Sequence, residues 1–111
     1  LERRGLLYSF HLKDKVDEKM LSAVTSCLFS PGRFEDDSIL VGFVNTPLYV
    51  KVSARCSPKL ARRGFHLGQA VGKAAANVGG EGGGHSTAAG AQIPLGTEEA
   101  FLEALSREAR E

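Results

Sequence analysis

The chain has 111 residues, 42% hydrophobic and 24% charged, with a formal net charge of +1, which describes one globular domain able to bury a core without disulfides or metals. Its longest apolar stretch, Ile39 to Val44, falls far short of the roughly 20 residues a membrane span needs, and Leu6 to Phe10 is too short for a signal-peptide core, so a cytoplasmic protein with no membrane partner is expected. Cys27 and Cys56 are read as reduced thiols without a role, and a start at Leu1 rather than Met points to a piece of a longer chain.

In chain order, Leu6 to Leu12 is compatible with a first strand. Asp17 to Phe29 repeats apolar residues at helical spacing, with Met20, Leu21, Val24, Cys27 and Leu28 as the stripe, and Ser30-Pro31-Gly32 stops it. Ser38 to Asn45 reads as a buried strand. After Thr46-Pro47 the run Leu48 to Arg55 alternates with period two, so the two strands form a hairpin. Leu48, Val50, Val52 and Ala54 then share one face, while Tyr49, Lys51, Ser53 and Arg55 share the other. Phe65 to Val78 is a helix with Leu67, Val71, Ala74 and Val78 along one side, ending at Gly79-Gly80. Ala88 to Pro94 is a third strand, and Glu98 to Arg110 an amphipathic helix with Phe101, Leu102 and Leu105 inward and acids in its first turn. The fold class is α/β, with α+β open: a single mixed β-sheet flanked by helices, one domain over residues 1–111.

The charge is unevenly spread. Ser38 to Gly80 contains six basic residues (Lys51, Arg55, Lys59, Arg62, Arg63 and Lys73) and no Asp or Glu, whereas Leu95 to Glu111 carries five acids against two arginines. A solvated face accounts for such a cluster unless something beside it binds anions. The adjoining stretch supplies that: five of the six residues Gly79-Gly80-Glu81-Gly82-Gly83-Gly84 are glycine, a composition that costs backbone entropy whether it forms a flexible turn or an anion nest of bare amides. His85 follows immediately.

Other chemistries fail on context. Gly79 to Ser86 approaches a nucleotide phosphate loop, but His85 stands where Lys is needed, and the segment leaves a helix and enters a strand, the reverse of that motif. The G-x-G-x-x-G pattern is absent. His11, His66 and His85 with the two cysteines lack metal-ligand spacing, His66 reads as a helix-start residue, and Ser86 beside His85 has no orienting acid.

The segment Gly82-Gly83-Gly84-His85-Ser86-Thr87-Ala88-Ala89-Gly90-Ala91 resembles the GGGH-x-x-AAGA signature of the DHH-associated domain, and Val50-Lys51-Val52-Ser53-Ala54-Arg55 resembles the V-K-V-S-x-R strand before it. The order and separation match. With Ser57 to Gly64 inserted, the pattern is most similar to archaeal RecJ-like single-strand-specific exonucleases. That resemblance implies a two-domain phosphodiesterase whose upstream DHH domain holds manganese or magnesium, while this domain, with no catalytic residue or metal of its own, holds the substrate. It implies Arg55 and His85 as phosphate contacts and Gly83 and Gly84 as residues permitting approach, with Gly82, Ser53 and Lys51 beside them. Charge alone extends the path along single-stranded nucleic acid or a short oligonucleotide through Lys59, Arg62 and Arg63. A non-catalytic scaffold among replication proteins and a phosphodiesterase of short oligonucleotides or cyclic dinucleotides remain alternatives. The glycine-rich domain of alanyl-tRNA synthetases lacks the GGGH-x-x-AAG form.

Overall fold

Ile39–Asn45 is apolar at almost every position, and the structure puts it where neither face meets water, in the middle of the sheet. The computed structural model describes residues 2–29 and 37–109. The expected helix stop at Ser30-Pro31-Gly32 and the helix end at Arg110 lie outside them.

The elements in order are β1 (Glu2–Arg4), β2 (Leu7–His11), α1 (Leu21–Leu28), β3 (Ile39–Asn45), β4 (Val50–Cys56), α2 (Pro58–Arg62), α3 (Leu67–Asn77), β5 (Glu81–Gly84), β6 (Ala88–Ile93) and α4 (Glu98–Ala109). One six-stranded sheet has the order β1-β2-β3-β4-β6-β5. Only β2 and β3 run parallel, joined by a crossover that contains α1, and every other neighbour is antiparallel. The arrangement is therefore α+β, a mixed sheet with helices on both faces.

The main core lies on one face, where Val50, Val52 and Ala54 of β4 and Ala89, Ala91 and Ile93 of β6 meet Leu67, Val71 and Ala74 of α3 and Phe101 and Leu105 of α4. Phe43 and Phe101 meet edge to face, their centroids 6.1 Å apart, the geometry aromatic quadrupoles favour. On the other face α1 packs over β3 and β4.

Four local expectations change. Leu48 is 83% exposed because Thr46 organises a turn there, its Oγ1 accepting from the amides of Leu48 and Tyr49, so β4 starts at Val50. The stretch before α1 splits: Asp17 caps a 3-10 turn over Glu18–Met20, leaving Met20 exposed. Residues 58–62, expected only as an insertion, form α2 with Pro58 in its first turn. The glycine tract is not a flexible loop throughout: Gly79 and Gly80 lead the chain out of α3 through a turn, and residues 81–84 are the edge strand β5.

Candidate functional site

Alternation shows which part of the sheet is open. Along β6 the burial runs half-buried, buried, half-buried, buried, exposed, buried from Ala88 to Ile93. Ala89, Ala91 and Ile93 thus face the core, and Ala88, Gly90 and Gln92 face outward. Cross-strand partners share a face, so the pairing carries this outward surface onto both neighbours. Ser53 pairs with Gly90 and Gly90 with Gly83; Lys51 pairs with Gln92 and Gln92 with Glu81; Arg55 pairs with Ala88. One rung further the amide of His85 donates to the carbonyl of Ala88 at 2.7 Å. Arg55 of β4, Ala88 of β6 and His85, the residue after β5, therefore stand in one row, although thirty positions separate the arginine from the histidine in the chain.

Arg55 is held rather than loose. Its Nη2 donates to Ser22 Oγ and Ser26 Oγ of α1, both at 2.9 Å, and its Nη1 to its neighbour's carbonyl on Ala54 at 2.9 Å. These bonds fix a half-exposed guanidinium at the border between α1 and the open patch. The ring of His85 is exposed and has no hydrogen-bond partner among the described residues.

The glycines of β5 differ in what requires them. A Cβ on Gly82 would lie 2.7 Å from the Ala91 methyl, and one on Gly84, whose φ is +153°, would lie 2.5 Å from the Ala88 carbonyl oxygen. Packing against β6 excludes side chains at both. A Cβ on Gly83 would meet nothing within 4 Å, and its φ is not among the positive ones. Neither packing nor backbone strain explains that glycine.

The loop after β5 is pinned by its carbonyls. The first two amides of α3, Leu67 and Gly68, donate to the carbonyls of Ser86 at 3.1 Å and His85 at 2.8 Å. Those helix N-terminal donors, which elsewhere bind anions, are consumed here in holding the loop, while the His66 ring accepts from the Gln69 amide as the helix cap. Cys56 joins in: its Sγ donates to the Ser86 carbonyl at 3.4 Å, and burial pushes its thiol up to about 11. The cysteine, given no role from the sequence, therefore ties β4 to the loop; only the position of Cys56 directly after Arg55 hinted at this.

Of the residues singled out by sequence, Arg55, Gly83 and His85 frame the open patch and Lys51 stands two residues along β4 from Ser53. Ser53 is in the intervening row but only 4% exposed. Gly82 and Gly84 serve packing. The basic segment is less free than its composition implied. Arg63 pairs with Asp37 at 2.6 Å, one residue before the acid-free stretch, and Lys73 approaches Glu108 of α4 at 3.8 Å. Lys59 also has a partner. Arg63 lies with Leu60 and Phe65 beside a cavity of about 790 Å³ that also borders α3 and α4, on the core side of the sheet rather than beside Arg55. Glu81 and Gln92 were missed, because their place in the patch depends on strand register.

Metal ligation does not fit these residues. Among those described, no three His, Cys, Asp or Glu side chains group to hold an ion; His11 instead pairs with Glu98 at 2.7 Å. No helix among them is long and apolar enough to cross a membrane.

No curated protein matches the sequence. Among solved structures, the C-Ala domain of alanyl-tRNA synthetase from Aquifex aeolicus aligns with a TM-score of 0.74 at 12% identity, covering 98% of this chain and 96% of that one. At that identity the likeness is one of fold. A DHH-domain structure described as belonging to a family of ribosomal proteins aligns with a TM-score of 0.51 at 26% identity over 82% of this chain, which spans only 20% of that longer protein. The two stretches that resemble the DHH-associated signature are adjacent in space, as β4 and the β5–β6 hairpin. The DHHA1 domain profile matches residues 5–111, and the chain belongs to the DHHA1 family, the domain associated with DHH phosphoesterases.

Proposed function

We propose that this chain is the substrate-holding domain of a RecJ-like DHH phosphoesterase. A phosphate of single-stranded nucleic acid or a short oligonucleotide binds on the open patch between Arg55 and His85, and an upstream DHH domain supplies the manganese or magnesium centre. The observation that carries this reading is Gly83. Glycine inside a strand costs about 0.5 to 1 kcal/mol relative to alanine, and nothing in the fold requires it at this position. A strand glycine without a packing reason marks a place where a ligand or another backbone comes close.

The neighbouring chemistry suits a phosphate. Arg55 is pre-oriented by Ser22 and Ser26, which together with the Ala54 carbonyl engage four of its five N–H donors, so a phosphate would use the one remaining Nη1 hydrogen and the positive charge, with little side-chain entropy left to lose. His85 adds a ring nitrogen from the residue after β5, and the floor of Ala88, Gly90 and Gly83 offers no side chain longer than a methyl group.

The test is Gly83→Val. Valine suits a half-buried strand position and its Cβ would meet nothing within 4 Å, so the melting temperature should stay level or rise while binding of labelled single strands at low salt is lost. Arg55→Ala and His85→Ala should each weaken binding by about 1 to 3 kcal/mol, non-additively because they share one ligand. A Gly83→Val protein that binds as the parent does, or wild-type protein that binds no oligonucleotide, would overturn the reading.

A further inference from the structure

The open patch has a second row of polar residues, and the two ends differ in charge. Lys51, Gln92 and Glu81 stand in register across β4, β6 and β5. Gln92 and Glu81 are exposed and Lys51 half-buried, and none of the three side chains has a hydrogen-bond or ion-pair partner among the described residues. Four residues of strand separate this row from Arg55, about 13 Å at the usual rise, and two strand spacings, roughly 9.5 Å, set its width. Between the rows lies the bare surface of Gly90 and Gly83.

The charges of Lys51 and Glu81 cancel within their row, whereas the Arg55 row carries a guanidinium and no acid. An anion is therefore drawn to the Arg55 end and kept off the Glu81 corner by like charge. The surface from one end to the other is three strands wide and about 13 Å long, room for one nucleotide. The far row presents a carboxylate that can only accept, a carboxamide that both donates and accepts, and an ammonium that can only donate.

Resting on the phosphate reading above, we infer that Glu81 and Gln92 read the base of the bound nucleotide: its phosphate lies at Arg55 and His85, its ring on Gly83 and Gly90, and an amino-bearing base edge donates to the Glu81 carboxylate. The ligand class is a nucleoside monophosphate unit whose base carries an exocyclic amine. The row thus selects among bases, while the Arg55 end selects for phosphate.

Matched ligands isolate the amine. Titration of the chain with CMP against UMP, and with GMP against IMP, at one salt concentration compares bases that share ring size and phosphate. The amino-bearing member of each pair should bind about ten- to a hundredfold tighter, the worth of one charge-assisted hydrogen bond. Glu81→Ala should abolish that preference while leaving UMP and IMP affinity within about twofold, and Arg55→Ala should weaken all four ligands alike. Equal affinity within both pairs, or a preference that survives Glu81→Ala, overturns the base assignment and leaves the phosphate site standing if Arg55→Ala still weakens all four. If Arg55→Ala changes none of the four, both readings fall together.

Discussion

Gly68→Ala tests how the loop carrying His85 is held. Gly68 is the second residue of α3, and an alanine Cβ there would lie 2.4 Å from the Gly84 carbonyl carbon and oxygen and 2.8 Å from its nitrogen. Carbon atoms in contact rest at about 3.5 to 4.0 Å, so α3 and β5 must separate by roughly 1 Å. The obstruction is backbone, and no rotamer relieves it. Overpacking of this kind costs about 1 to 3 kcal/mol, and the better helix propensity of alanine returns up to about 1 kcal/mol, leaving a net loss of roughly 0 to 3 kcal/mol. A loss near 1 kcal/mol lowers the melting temperature of a domain this size by about 4 to 8 °C. Binding should suffer more, because the same displacement stretches the Gly68 amide to His85 carbonyl bond of 2.8 Å and moves His85 out of the Arg55 row. Oligonucleotide affinity should fall about tenfold, the loss of one phosphate hydrogen bond worth about 1.4 kcal/mol. Gly72→Ala is the control: its Cβ would lie 3.1 Å from the Gly82 oxygen, which a few tenths of an ångström relieves. Differential scanning fluorimetry and fluorescence anisotropy on both variants give the two quantities. A Gly68→Ala protein that melts at or above wild type with undiminished binding, or a Gly72→Ala protein more damaged than Gly68→Ala, refutes the contact.

Two further outcomes follow from the neighbouring groups. The buried Cys56 thiol keeps its proton from the usual 9.0 up to about 11, so over that window the unfolded chain has released a proton that the folded chain retains. Its contribution is intact below pH 9 and is lost at about 1.4 kcal/mol per pH unit as the pH rises toward 11. Urea midpoints between pH 8 and 10.5 should therefore fall less steeply for Cys56→Ala than for wild type, and parallel curves would contradict the burial. Arg63→Ala should leave the salt dependence of oligonucleotide binding unchanged, since its guanidinium is engaged by Asp37 and lies beside the cavity on the core side. Its stability cost should stay under about 1 kcal/mol, the worth of an exposed pair. A salt slope reduced by about one would return Arg63 to the nucleic-acid path.

What the sequence made legible was local. The period-two run at Val50 to Arg55 and the helical stripe from Leu67 to Ala74 report burial on one side, and burial is what the folded sheet imposes on them. The GGGH-x-x-AAGA segment was recognisable as a whole, yet its secondary structure was not. Glycine has no preference for a pleated surface, so Glu81 to Gly84 gave no strand signal; the strand exists because β6 offers a ladder and α3 a floor. Leu48 misled for the opposite reason, its hydrophobicity fitting the alternation while Thr46 had already committed the chain to a turn. Glu81 and Gln92 could not be found at all, because their proximity to Lys51 is a property of register between three strands.

The same non-local dependence explains the glycine content of the site. Gly68 and Gly72 let α3 approach β5 backbone to backbone, and Gly82 and Gly84 let β5 close onto β6. Without that double approach, the first amides of α3 would not reach the carbonyls of His85 and Ser86, and the loop would keep its conformational freedom. Once those carbonyls are tied, the outward ring of His85 and the bare surface of Gly83 are left open to a ligand beside Arg55. Four glycines thus fix the geometry, and the fifth leaves it open.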